Sequence, residues 1–464
     1  MKKLLVLIIV FTTVFIHAQD ITGDWKGSLK VMGTDLGLHF NFYKTDEGYS
    51  GTMNVPQQKA TGIHLTSVRY ENETLSVFIE DATITYTAKL NANGDFDGTF
   101  TQRGQEFNLV LTRGALDVKK PNRPQEPKEP FDYEIEEVTF ENTKANATFS
   151  GTLTYPKNKK SFPTVILISG SGPQDRNSEI FNHKPFWVIA DYLTKNGIGV
   201  LRYDDRGVAK STGNRKTATT HDFATDVEAA VAFLKTKKQI DSKKIGLLGH
   251  SEGGMIAPIV ASKDKSIAFI VLLAAPGIPC IELLEEQAYR IGKAAGMNEE
   301  ELTTSRKLNV TIYNLVKSDI DDNALTIQLK KVMDESLKDN MAYQNLSQAE
   351  KEKTLAQQTE GITVPWFRSF MRFIPSAYIE KVTCPVFALN GEKDLQVISN
   401  TNLPAIATAL KNAKNKNGIT KEYPNLNHLF QESKTGKIEE YETLEQTFSP
   451  LVLEDIKNWI LELK

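Results

Sequence analysis

Cysteine is nearly absent from this chain: 464 residues contain two, Cys280 and Cys384. That excludes a disulfide framework and any paired C-x-x-C motif, and both residues are expected as free, buried thiols. An H-E-x-x-H pair and a phosphate-binding glycine loop are missing too, so no metal, nucleotide or other cofactor is expected. Neither sign of charge dominates. Lys and Arg number 55 against 58 Asp and Glu, a formal net charge of −3, which gives no electrostatic case for a nucleic-acid partner. Long apolar runs are missing apart from Leu4 to Ile16, broken only by Thr12 and Thr13, preceded by Lys2 and Lys3 and followed by Ala18-Gln19. This run is short for a membrane span and lacks a stop-transfer flank. Residues 1–18 therefore read as a cleaved signal peptide. The mature chain is expected to be exported, periplasmic or extracellular, with no stable membrane anchor. Its 40% apolar and 9% aromatic residues suit a folded protein, and its length calls for two or three domains.

The most informative stretch is Gly249-His250-Ser251-Glu252-Gly253. It follows the apolar run Lys244–Leu248 and leads into Gly254-Met255-Ile256-Ala257, the strand–turn–helix setting of a G-x-S-x-G elbow. So tight a turn leaves no room for side chains two residues either side of the serine, and it pushes one hydroxyl toward a cleft. A serine hydroxyl is a weak nucleophile alone, so a base and an orienting acid are required elsewhere. Of seven histidines only His428 lies beyond the serine, in Tyr423-Pro424-Asn425-Leu426-Asn427-His428, and it is the expected base. Asp394, in the turn Gly391-Glu392-Lys393-Asp394 after the apolar run Cys384–Asn390, is the only Asp between Asp339 and His428. It is the expected acid, with Glu392 as the alternative; an Asx-turn role for Asp394 is the blander one. The oxyanion of a tetrahedral intermediate needs two donors. One is expected to be the backbone N–H of Glu252. The other is expected in Ser169-Gly170-Ser171-Gly172, after the apolar run Pro163–Ile168, with Ser171 first choice and Gly170 and Gly172 on either side.

On these motifs, and on Arg202-Tyr203-Asp204-Asp205-Arg206-Gly207, the segment from about Phe131 to Lys464 resembles an α/β-hydrolase. It is similar to secreted bacterial esterases and to the serine aminopeptidase, prolyl-oligopeptidase-related branch. The resemblance implies that the Asp-x-Arg-Gly turn braces loops beside the active site, making Asp204 and Arg206 structural. Many relatives carry His-Gly in the oxyanion loop where this chain has Ser169-Gly170.

The organisation expected around these motifs has six parts. Behind the signal peptide, residues 19–113 alternate apolar and polar positions with period two (Leu36, Leu38, Phe40, Phe42; Ile84, Tyr86, Ala88, Leu90), with turns such as Asn93-Gly94. This reads as a small antiparallel β-barrel or sandwich, lipocalin-like in pattern. It is expected as a spacer or docking module, although a barrel interior could hold a ligand. Residues 114–130 carry Pro121, Pro124, Pro127 and Pro130 and are expected as a semi-rigid polyproline spacer. Residues 131–280 and 380–464 alternate strand-like and helix-like runs, which implies a mostly parallel, doubly wound sheet with its site at the strands' carboxyl ends. Between them, 281–379 reads as a helical cap. Its apolar stretch Trp366, Phe367, Phe370 either lines a substrate pocket or seats the cap. The acidic run Ser318–Asp322 lacks calcium-loop spacing and is expected to cap a helix.

The expected function is a secreted serine hydrolase acting through Ser251, His428 and Asp394 on a small-molecule ester. An exopeptidase is the alternative. It would need cap carboxylates such as Glu282, Glu285 or Glu286 to hold a substrate amine. A non-catalytic carbohydrate- or lipid-binding protein is the third reading.

Overall fold

The computed structural model of the chain describes residues 20–31, 34–46, 48–58, 60–80, 82–102, 105–116, 122–157 and 159–463, so the expected signal peptide lies outside the described residues. Two compact units result, Met1–Lys120 and Pro121–Lys464.

The first unit is all β. Its strands are β1 (Gly23–Val31), β2 (Thr34–Thr45), β3 (Gly48–Val55), β4 (Ala60–His64), β5 (Ser67–Glu71), β6 (Thr74–Ile79), β7 (Ile84–Leu90), β8 (Phe96–Gln102) and β9 (Gln105–Arg113). They pair antiparallel in the order β2-β1-β9-β8-β7-β6-β5-β3-β4, and a further β2–β3 pairing closes the sheet into a barrel. Closure leaves few free edges, and period-two alternation fills the inside with one side-chain set. In β7, Ile84, Tyr86 and Ala88 are buried while Thr85, Thr87 and Lys89 face solvent. Phe40, Phe42, Leu75, Val77, Phe96 and Leu111 join them in the core.

The second unit is built on β10 (Tyr133–Asn142), β11 (Ala147–Pro156), β12 (Thr164–Ile168), β13 (Gly199–Tyr203), β14 (Ile245–His250), β15 (Ile270–Leu273), β16 (Val386–Gly391) and β17 (Gly418–Tyr423). Their order is β10-β11-β13-β12-β14-β15-β16-β17. The pairs from β13 onward are parallel; β10–β11 and β11–β13 are antiparallel. The central strands read as unbroken apolar runs because both faces are covered. In β15, Ile270 and Leu272 enter one core while Val271 and Leu273 enter the other. The helices α1 (Pro185–Lys195), α2 (Thr220–Thr236) and α3 (Gly253–Lys263) lie between strands, with α2 and α3 feeding the first core and α1 the second.

Seven helices lie between β15 and β16: α4 (Cys280–Ala294), α5 (Glu299–Lys317), α6 (Asp322–Leu337), α7 (Met341–Gln344), α8 (Gln348–Thr363), α9 (Pro365–Met371) and α10 (Ser376–Ile379). Asn298, Asp321 and Ser347 cap α5, α6 and α8 with side-chain acceptors. Asp321 does so at 3.0 Å to both Asn323 N and Ala324 N, which is the role expected of the acidic run. After β16 come α11 (Ser399–Asn412), α12 (Ile438–Tyr441) and α13 (Pro450–Glu462). Cys280 and Cys384 are both free. No helix among the described residues is long and apolar enough to cross a membrane.

The proline-rich segment departs from the expected spacer. Residues 117–121 lie outside the described residues, but the part that follows is bound to the second unit. Arg123 donates to the carbonyl of its neighbour Asn122 and to four distant ones: Asn182 at 3.0 Å, Phe181 at 3.1 Å, Leu444 at 2.7 Å and Glu442 at 2.8 Å. Gln125 donates to the Phe448 carbonyl at 2.7 Å and accepts from Thr447 N–H at 2.6 Å. A guanidinium satisfied by so many carbonyls fixes the backbone that carries it, whatever the proline spacing alone would favour.

Candidate active site

Three loops at the carboxyl ends of parallel strands carry the candidate residues. β14 runs straight into Ser251, whose φ of +53° places a non-glycine residue in the left-handed region. Its N–H donates to the Leu273 carbonyl at 2.9 Å. The flanking glycines are explained by contact. A Cβ on Gly249 would lie 2.0 Å from the Gly253 carbonyl oxygen, and one on Gly253 would lie 2.2 Å from the Ile168 carbonyl oxygen. Strain of this kind persists only where surrounding structure enforces it.

Asp394 sits in the turn after β16 and His428 in the loop after β17. His428 Nδ1 meets Asp394 Oδ2 at 2.7 Å, and both side chains are buried. The other Asp394 oxygen accepts the N–H groups of Gln396 at 2.8 Å and Val397 at 2.9 Å. Asp394 is therefore acceptor-only on both sides, so Nδ1 carries the proton and Nε2 is left with its lone pair. Glu392 takes no part in this pair; its carboxylate accepts from Asn425 N–H at 3.0 Å.

Residues that the sequence reading did not assign hold this arrangement. His250 Nε2–H donates to the His428 carbonyl at 2.9 Å, and the two rings stand 4.8 Å apart. The residue before Ser251 thus fixes the backbone of His428. Burial, with His428 alongside, pushes the His250 imidazole down to about 3, so it stays neutral and keeps this tautomer. On the far side of His428, Asn427 Oδ1 accepts the N–H groups of Leu429 and Gln431 at 3.0 Å each. Neither role has a local signature, since each depends on a partner distant in the chain or on loop geometry.

The Ser169–Gly172 loop lies against the elbow. A Cβ on Gly170 would be 3.2 Å from Ser251 Cβ. Asp205 ties this loop down, accepting from Ser169 Oγ at 2.6 Å and Gln174 N–H at 3.0 Å. Burial pushes the Asp205 carboxyl up to about 7, against the Ser169 hydrogen bond and the Arg215 charge, which favour the anion. Ser171 is exposed at the rim. The neighbouring Asp204 forms a bidentate pair with Arg176, at 3.0 and 2.8 Å, and Arg206 pairs with Asp226 at 2.7 Å. These two residues are bracing, as the resemblance implied.

Glu252 is buried, and its carboxylate accepts from Thr220 Oγ1 at 2.7 Å and from Trp366 Nε1 at 2.8 Å. Burial raises its carboxyl above the ordinary range. Trp366 thus links the cap to the residue beside Ser251. The other two aromatics expected near substrate lie elsewhere. Phe370 is buried in the core beneath the cap, and Phe367 packs into the cap's own core. Both rings are taken up by hydrophobic clusters, so seating the cap describes them better than lining a cleft. Among the described residues no group of three His, Cys, Asp or Glu is placed to hold a metal ion.

A crossed mostly parallel sheet, a serine elbow and a buried His–Asp pair at the strand ends define an α/β-hydrolase. Residues 185–434 match the model of the family described as serine aminopeptidase, S33, and the chain belongs to that family. It is 35% identical over 161 residues to esterase EstD of Thermotoga maritima, covering 34% of this chain and 38% of that protein. It is 33% identical over 84 residues to the thiohydrolase apmlB of Arthrinium phaeospermum, covering 18% and 27%. The chain thus spans well under half the length of these relatives. Among solved structures, the Pyrococcus furiosus esterase Pf2001 aligns at 18% identity and a TM-score of 0.42 over 75% of this chain and 99% of its own. A ferulic acid-bound Est1E from Butyrivibrio proteoclasticus aligns at 17% and 0.41, over 70% and 98%. The chain is accordingly a member of a hydrolase family and has esterase relatives.

Proposed function

We propose that the protein hydrolyses carboxylic esters of small molecules by an acyl-enzyme route. Ser251 Oγ attacks the ester carbonyl while His428 Nε2 takes its proton. Asp394 holds the imidazole and offsets the charge of the imidazolium. The N–H groups of Glu252 and Ser171 face the developing oxyanion. His428 then returns the proton to the leaving alcohol, and water releases the acyl group by the same steps reversed. The observation that carries the reading is the buried His428–Asp394 pair at 2.7 Å, on a loop held by the residue preceding Ser251. Residues 1–18 are read as an export signal, which assigns the enzyme to the periplasm or the exterior.

Exopeptidase activity is the second reading, favoured by the family description. Two of the three cap carboxylates named for it already have partners. Glu286 accepts from Thr401 Oγ1 at 2.7 Å, and Glu285 lies 3.5 Å from Arg306. Rates on p-nitrophenyl acetate, butyrate and octanoate, set against aminoacyl- and dipeptidyl-p-nitroanilides, separate the two. Ester turnover without anilide cleavage is expected. Anilide cleavage of comparable efficiency overturns the ester reading.

A further inference from the structure

A small β domain normally packs its interior to the density of an organic crystal, because each unfilled volume forfeits contacts and costs stability. The barrel of the first unit does not. It holds a cavity of about 550 Å³, within the range of small-molecule sites. Its wall is apolar: Leu29, Leu38, Met53, Ile84, Phe100 and Phe107.

The two ends of the barrel are built differently. One end is plugged by aromatic rings. Trp25 and Phe96 stand 4.7 Å apart and Tyr70 meets Phe96 edge-on at 5.6 Å, while the Arg113 guanidinium covers Trp25 at 4.7 Å. Tyr86 donates to the Phe96 carbonyl at 3.0 Å, anchoring the plug from within. The other end is where the ends of β6 and β8, the starts of β7 and β9 and the segment after β3 come together. There the cavity reaches Ala82 and the exposed amides of Gln58, Gln102 and Gln105. An apolar tube closed at one end, with amides at its mouth, suits one shape of ligand. An aliphatic chain enters end-on, and a small oxygen-bearing head stays at the amides, which donate and accept alike.

We infer that the β-barrel unit binds one medium-length, unbranched aliphatic chain, methyl end inward, with its alcohol or acid head at the Gln58, Gln102 and Gln105 mouth. This goes beyond ester hydrolysis and is independent of it, since every residue invoked belongs to the barrel.

The test uses the full chain and the neutral fluorescent probe N-phenyl-1-naphthylamine, displaced by decanol or decanoic acid. Two variants place a large ring at partly exposed cavity positions, Ala82→Trp in a turn and Ile63→Trp on β4. Trp366→Ala, in the other unit, is the control, and near-ultraviolet circular dichroism with thermal unfolding reports folding of each. The expected result is one saturable site per chain, displaced by at least one of the two competitors. Kd for the probe should rise at least tenfold in both barrel variants and stay unchanged in the control. The competitor that displaces at lower concentration identifies the head group. Absence of saturable binding, displacement by neither competitor, or equal binding by folded barrel variants overturns the inference.

Discussion

Replacing Asp394 by Asn tests the site through hydrogen-bond logic alone. The side chain changes by one atom and keeps its shape. Asp394 Oδ1 accepts two backbone N–H groups at 2.8 and 2.9 Å, and these donors need an oxygen. The amide oxygen therefore stays with the turn, and the new NH₂ occupies the Oδ2 position, 2.7 Å from His428 Nδ1. An NH₂ is a donor, so Nδ1 must accept and the imidazole proton moves to Nε2. In that tautomer Nε2 cannot take the proton of Ser251. Loss of the correct tautomer and of the imidazolium's counter-charge lowers kcat by roughly a thousand- to ten-thousand-fold, about 4–5 kcal/mol of activation free energy. Stability changes by only about 1 kcal/mol, because the turn keeps its two bonds. Initial rates on p-nitrophenyl butyrate, together with urea unfolding, measure both quantities. A folded D394N enzyme retaining kcat within tenfold of the parent refutes the assignment of Asp394.

Three further outcomes follow from other contacts. Trp366→Phe removes the indole N–H from the buried Glu252 carboxylate and should cost about 1–3 kcal/mol in urea unfolding, with KM rising more than kcat falls; an unchanged unfolding midpoint would count against the link. Asp205 has a folded pKa pushed up to about 7, above the value near 4 of an exposed carboxyl. Its ionisation therefore favours the unfolded chain, and its share of stability is present below about pH 4 and lost as pH rises toward 7. D205N keeps the oxygen for Gln174 N–H and donates to Ser169 Oγ, so its unfolding free energy should fall less steeply over that window; parallel profiles contradict this. Arg123→Ala frees the chain after residue 121 and should speed trypsin cleavage between the two units at least tenfold, read by gel band intensity, whereas equal cleavage rates would show that Arg123 does not restrain it.

The parts legible in the sequence are those whose cause is local or exclusive. Gly249 and Gly253 announce the elbow because a Cβ on Gly249 would strike backbone four residues on, and one on Gly253 would strike the end of the adjacent strand β12. His428 is found by elimination, being the one histidine after Ser251, and Asp394 as the only Asp between Asp339 and His428. Alternation in β7 and the cap at Asp321 depend on neighbours in sequence, so barrel and cap helices both show through. The missing parts are long-range. His250 reaches across 178 residues to His428, and Glu252 reaches 114 to Trp366. Arg123 spans 321 residues to Leu444, so proline spacing alone reads its segment as a semi-rigid spacer and misses its attachment. Phe367 and Phe370 differ by three positions yet enter different cores, a distinction set by which distant elements pack on each ring and not carried by composition.

The central claim is that Ser251 is a nucleophile activated by its surroundings. A fluorophosphonate probe bonds covalently only to such a serine. Intact mass and peptide mapping after labelling should show one adduct, on the peptide containing Ser251, with p-nitrophenyl butyrate turnover lost in proportion to labelling. Ser251→Ala should neither label nor turn over substrate. An adduct on another residue, or no adduct on folded protein, contradicts the account.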